Sequence, residues 1–272
     1  MTFLQRHAYG IGCAIGALLW PFFASRRRLS VENILKGGVA GNAEEAKKIA
    51  KAAWCHLPGH ICEALCVPKV VTSENWREHL DTSGGDPETV KLLLDTPQTP
   101  ILLVSSHHGV WEAATNLLSF ARPMIAIART MNNRFVANWM KKHHFRGDVT
   151  VIDKNRGFTP QIIKRWLREN AAMTILMDQH SGKGLPLKFF GRSAKTFTTA
   201  ARLAMRYGVP IVAGSFVRIA PYRYRLVGGG ILRFSKNDDL AKCTQLLNDR
   251  LEEAIREYPA QYLWSHRRWR KM

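Results

Sequence analysis

Ile101-Leu102-Leu103-Val104-Ser105-Ser106-His107-His108-Gly109-Val110-Trp111-Glu112 is the stretch from which the fold can be read. Its first four residues are an uninterrupted apolar run, the pattern of a strand buried on both faces. Gly109 sits where a strand turns into the next element, and Trp111 and Glu112 open a helical pattern that runs through Leu117 and Leu118. A histidine and a carboxylate therefore meet beyond the end of a strand. His107 and Glu112 are five residues apart, which on one continuous helix separates them by about 140°. Across a turn at Gly109 they can face each other. A glutamate that accepts from one imidazole nitrogen leaves the other free as a base, which is what removing the proton of a hydroxyl in acyl transfer requires. Spacing alone allows equally a buried polar pair that ties loop to helix, or His108 in place of His107.

Outward from this stretch, strands and helices alternate. Strands are expected at 101–105, 124–128, 149–152, 173–177 and 210–217, and helices at 111–120, 133–144, 158–170, 196–207 and 238–257. Strands separated by helices of this length pair in parallel, with helices on the sheet faces. The fold class is therefore α/β, a mostly parallel central sheet flanked by helices, with Tyr222 to Val227 as an antiparallel edge strand. Upstream, 42–66 reads as a helix capped by Asn42 and interrupted at Pro58-Gly59, and 88–94 as a short helix.

Two further polar clusters end strands. Met177-Asp178-Gln179-His180-Ser181-Gly182 follows the strand at 173–177, and Arg129 follows that at 124–128. Parallel sheets place ligand sites beyond the carboxyl ends of their strands, so these clusters point to one rim. An arginine there can hold a carboxylate or phosphate two-pronged, or form a surface ion pair. In Pro186-Leu187-Lys188-Phe189-Phe190-Gly191-Arg192, the two phenylalanines line an apolar groove or fill a hairpin core, while Lys188 and Arg192 suit an anion. Lys195-Thr196 is expected to start the next helix, whose amino end is a phosphate site.

The 272 residues carry 40 Lys and Arg against 21 Asp and Glu, a net charge of +19 with a pI near 10.2. Such a chain is drawn to polyanions: an anionic membrane surface, a phosphorylated substrate, an acidic carrier protein or nucleic acid. No nucleic-acid motif accompanies the charge, so nucleic acid is not expected as a partner. Five cysteines, an odd number, do not form a disulfide framework, and the spacing of Cys55, Cys62 and Cys66 with His56 and His60 does not match a paired-cysteine zinc pattern. No metal is expected. Residues 8–24 carry no charge and are followed by Arg26-Arg27-Arg28. This reads as an uncleaved membrane anchor or interfacial helix, residues 1–28, ahead of a single domain, 29–272, on the cytoplasmic side; the run is short enough to be a hydrophobic core helix instead.

These blocks together carry a resemblance. His107 and Glu112 fit the His-x4-Glu motif of the glycerolipid-type acyltransferases. His-x-Gly-x-Trp-Glu after an apolar strand resembles the bacterial lipid A biosynthesis (lauroyl/myristoyl) acyltransferase family. So do Ala-Arg-Thr-Met-Asn-Asn at 128–133, Met-Asp-Gln, Phe-Phe-Gly-Arg and the closing Gln261-Tyr262-Leu263-Trp264-Ser265-His266-Arg267-Arg268-Trp269. The resemblance implies a glycerol-3-phosphate acyltransferase-like fold with an amino-terminal membrane helix at the inner membrane. It also implies transfer of a fatty acyl group from an acyl carrier protein or coenzyme A thioester to a hydroxyl of a lipid A precursor, without a cofactor. By that likeness His107 is the general base and Glu112 its partner, and Arg129 and Asp178 lie around the active site. Val110 departs from the asparagine frequent at its place, which bears on the acceptor. Other acceptors stay open (a lysophospholipid, an ornithine-type lipid or a glycolipid), as does a non-catalytic, membrane-associated lipid-binding protein.

Overall fold

In the computed structural model the described residues are 1–128, 147–153 and 158–269. The strand at 101–105 is the hub. Ile101, Leu102, Leu103 and Val104 are all buried, Leu102 and Val104 in one apolar cluster and Ile101 and Leu103 in another. That division follows from the two-residue period of a strand and needs helices on both sides of the sheet.

The sheet has seven strands: β1 (Leu80–Asp81), β2 (Ile101–Ser105), β3 (Met124–Ala128), β4 (Val149–Asp153), β5 (Ala172–Leu176), β8 (Ile211–Ala220) and β9 (Arg223–Leu232). Their order is β1-β9-β8-β2-β5-β3-β4. All neighbours pair in parallel except β8 and β9. A separate antiparallel hairpin is formed by β6 (Leu185–Phe189) and β7 (Arg192–Thr196). One face of the sheet is covered by α6 (Pro160–Arg168), α7 (Thr199–Tyr207) and α8 (Leu240–Glu257), by α2 (Ala24–Lys36) and by the first half of α3 (Ala43–Val70). The other is covered by α4 (Pro87–Leu94), α5 (Trp111–Leu118) and the end of α3. The expected helix at 133–144 lies outside the described residues.

Three expectations at the level of elements are corrected. The antiparallel strand β9 is not at the edge, because the two-residue β1 pairs with its outer side. The helix from Asn42 is not interrupted at Pro58-Gly59 but runs to Val70. Pro58 costs α3 one backbone hydrogen bond, and Gly59 is used for close packing: a Cβ there would lie 2.7 Å from Cys13 Sγ and 2.9 Å from the Tyr9 ring. Lys195 and Thr196 do not start a helix. They close β7, paired with Pro186 and Leu185, and α7 begins at Thr199.

The amino-terminal helix α1 (Phe3–Leu19) lies along α3. Gly12 and Gly16 meet the α3 backbone at Pro58 and Cys55, and Trp54 Nε1 donates to the Gly16 carbonyl at 2.9 Å. Pro21 ends α1, and the chain turns by 101° into α2. Among the described residues no single helix is long and apolar enough to cross a membrane, although α1 and α2 pass that test as a bent pair. The outer side of α1 and of the turn that follows it is apolar and open: Phe3 and Phe22 are each 78% exposed, and Leu4 and Leu18 are exposed as well.

Candidate active site

The turn between β2 and α5 is fixed by the one residue type that fits it. Gly109 has φ +67°, and a Cβ there would lie 2.0 Å from the Phe216 carbonyl oxygen on β8. Its N–H donates to Gln261 O at 3.0 Å, and the next N–H, of Val110, donates to Phe216 O at 2.7 Å. Leu263 N–H donates to His107 O at 3.0 Å. The carboxyl-terminal segment therefore grips the turn from one side and β8 from the other. Val110 is fully buried in the cluster under α5, so this position belongs to the core.

At the end of β5, Asp178 reaches this turn. Its Oδ1 accepts from His107 Nδ1 at 2.9 Å and its Oδ2 from the His107 backbone N–H at 3.0 Å. A carboxylate only accepts, so His107 carries its proton on Nδ1 and its Nε2 is an unprotonated acceptor. Gln179 Nε2 lies 3.2 Å from that nitrogen and donates to it. The His107 side chain is 20% exposed and that of Asp178 2%. Burial by itself would push the Asp178 carboxyl up. The His107 ring, the two hydrogen bonds from His107 and the guanidinium of Arg268 together bring it below its ordinary value.

Glu112 lies in the first turn of α5. Burial pushes its carboxyl up, and the nearby His107 ring opposes this. His107, Glu112 and Asp178 thus come together, and Asp178 holds Nδ1, the place that sequence spacing suggests for Glu112. Arg129 lies outside the described residues, directly after the last residue of β3. His108 is fully buried, with Nε2–H donating to the Tyr258 carbonyl at 3.0 Å, and serves to tie the turn to the carboxyl-terminal segment.

Lys188 and Arg192 lie on the β6–β7 hairpin. The Lys188 side chain is exposed, while its backbone is held by Gln245 and Asn248 of α8. Arg192 donates to Asn33 Oδ1 at 3.3 Å and stacks 4.3 Å from the Trp269 ring centre. Phe189 and Phe190 fill a hairpin core and pack edge-on against Tyr262 and Trp264, so they line no groove. Arg268 is 1% exposed and donates to Gln179 O at 3.1 Å, to Lys195 O and to Thr196 Oγ1 at 2.7 Å. It pins the loop that carries Gln179.

A narrow cavity of about 40 Å³ lies under α5. Its upper end is at Ser105 and Trp111, the latter with its ring centre 5.3 Å from that of His107. Its walls continue through Leu103, Ala114 and Leu118 to Met124. Through β5, Met124 is level with Ile101, four residues below Ser105, a depth of about 13 Å at the strand rise of about 3.3 Å per residue.

The chain carries a carboxylate–histidine pair with an unprotonated ring nitrogen at the rim of a parallel sheet, and an apolar cavity beside it. A family model described as bacterial lipid A biosynthesis acyltransferase matches residues 5–271, nearly the whole chain. A comparison with curated proteins finds no match. The chain belongs to the bacterial lipid A biosynthesis acyltransferase family and is an acyltransferase.

Proposed function

We propose that this acyltransferase moves a fatty acyl group from an acyl carrier protein or coenzyme A thioester to a hydroxyl of a lipid A precursor, with His107 Nε2 as the base. The observation that carries the assignment of the base is the Asp178 bond to Nδ1, which leaves Nε2 as the nitrogen able to take a proton. The acceptor hydroxyl replaces the Gln179 amide at Nε2 and gives up its proton there. Its oxygen bonds to the thioester carbonyl carbon, the carbon–sulfur bond breaks, and the leaving sulfur takes the proton back from His107. No covalent enzyme intermediate is needed. The imidazolium that forms in between is stabilised by the Asp178 carboxylate and faces Glu112. Arg129, one residue beyond β3, is placed by sequence to hold an acidic group of a substrate.

The cavity under α5 is our candidate for the acyl chain. Its depth along the strand, about 13 Å, would limit the length of the chain it admits once the walls part. The open apolar side of α1, with exposed Ile61 and Leu65 on α3 and the Arg26–Arg28 cluster nearby, fits a helix lying in the surface of an anionic bilayer. The net charge of +19 favours the same surface, and it favours an acidic carrier protein as donor. The test is turnover by the full chain with acyl carrier protein thioesters of graded length, offered a lipid A precursor or a lysophospholipid. The proposal expects the lipid A precursor to gain an acyl chain; acylation of the lysophospholipid alone assigns another acceptor.

A further inference from the structure

The carbonyl of Gly109 is held by a residue that the reaction does not use. His56 on α3 is 3% exposed, and its Nε2 lies 3.0 Å from Gly109 O. A carbonyl only accepts, so His56 carries its proton on Nε2. Its bare Nδ1, 3.0 Å from Tyr9 Oη, then accepts the phenolic proton. We propose that His56 is a positioning residue for acyl transfer, holding the turn between His107 and Glu112 through the Gly109 carbonyl in a tautomer that Tyr9 selects. This rests on His107 acting as the base.

The peptide unit joining Gly109 to Val110 lies between the two motif residues. Its carbonyl end is bound by His56 and its N–H end by Phe216 O. With both ends held, the plane of that peptide is set, and with it the approach of Glu112 to His107. Burial holds the His56 imidazole down at about 4, so it stays neutral and keeps one donor and one acceptor at neutral pH. Tyr9 belongs to α1, the helix with the open apolar side. Its ring also lies 3.7 Å from the Arg218 guanidinium. The Arg218 backbone in turn brackets the Gln261 side chain, with N–H to Oε1 and Nε2 to O each at 2.9 Å, and the Gln261 carbonyl binds Gly109 N–H. The seating of α1 therefore reaches the turn from both sides of Gly109.

The experiment uses the full chain in anionic vesicles, with dodecanoyl-acyl carrier protein and a lipid A precursor as probes. His56→Leu removes the donor and is expected to lower kcat by about 10- to 100-fold, since a displacement of about 1 Å at reacting groups costs about that much. KM for the thioester should stay within about twofold if the loss is one of positioning. His56→Gln, which keeps an N–H at the Nε2 position, is expected to restore most of kcat. Tyr9→Phe, a milder change that decides the matter if His56→Leu fails to fold, is expected to lower kcat several-fold. Nitrogen-15 spectra of the histidine rings give a readout without turnover: His56 as a neutral Nε2–H tautomer, with the His107 signals moving in Tyr9→Phe. Wild-type kcat in folded His56→Leu, or His107 signals unmoved in Tyr9→Phe, would overturn the proposal. Absence of turnover by the wild type defeats the acyl-transfer reading instead, and the spectra still decide the role of His56.

Discussion

Asp178 decides which nitrogen of His107 carries no proton, and its position defines the first prediction. Asparagine there presents an N–H to Nδ1 and favours the opposite tautomer, with the proton on Nε2, where a base is needed. Asp178→Asn should therefore lower kcat by about 10³- to 10⁴-fold, as tautomer reversal does in comparable carboxylate–histidine pairs, while circular dichroism stays native. Turnover within about tenfold of wild type would show that Asp178 does not set the tautomer. Gly109→Ala should abolish turnover, because the added carbon meets the Phe216 carbonyl at 2.0 Å in a backbone conformation with φ +67°. The sequence placed His107, Glu112 and Asp178 on one rim because each follows an apolar strand. It did not reveal the His107–Asp178 bond, since 71 residues separate the two and spacing arguments reach only neighbours on one element. Gln179 and His56 were missed for the same reason. Gln179 stood next to Asp178 as a visible neighbour, but nothing local assigns its amide to Nε2. The fate of Phe189 and Phe190 was undecidable locally, because the aromatic residues that bury them lie about 70 positions further on.

At the scale of elements, β2, β3 and β5 were legible because their apolar runs are buried on both faces, a pattern set by the fold's parallel layers. Pro58 misled because a proline usually marks a break. Here tertiary packing against α1 compensates for the lost bond. Between α3 and β8 lies the buried ion pair of Glu63 with Arg218, at 2.9 Å, to which Tyr224 Oη adds a hydrogen bond at 3.0 Å. Glu63→Ala leaves the Arg218 guanidinium without its carboxylate and should cost about 3–5 kcal/mol, read by urea denaturation. A loss below about 1 kcal/mol would mean that water replaces the pair. Under α5, Ala114→Leu narrows the proposed acyl cavity and Leu118→Ala deepens it. The preferred thioester should become shorter in the first and longer in the second. An unchanged length profile in both would place the acyl chain elsewhere.

For the whole molecule, the strongest pH dependence to check is that of the buried histidines. Burial holds both His56 and His108 down at about 4 against an ordinary value near 6.5. A depressed folded value means that the unfolded chain binds more protons between those limits. The stability these rings contribute is therefore complete above about pH 6.5 and falls away as pH drops through 4. Glu63 and Glu112, which burial pushes up, act in the opposite sense, so the difference between variants is the cleaner measure. His56→Gln should make the slope of unfolding free energy between pH 6.5 and 4 shallower by about one proton, about 1.4 kcal/mol per pH unit. An unchanged slope would mean that His56 titrates alike in both states.

The amino-terminal apolar run was legible as a hydrophobic helix, but its packing along α3 was not, because the glycines that admit it (Gly12, Gly16 and Gly59) only acquire meaning once both helices are placed. The central claim is that His107 removes the proton of a lipid hydroxyl. It is tested most directly by comparing wild type with His107→Ala in vesicles, following transfer of the acyl group from acyl carrier protein to a lipid A precursor by mass spectrometry. Wild type should yield an acylated precursor and the folded variant none above background; undiminished transfer by His107→Ala would rule out His107 as the base.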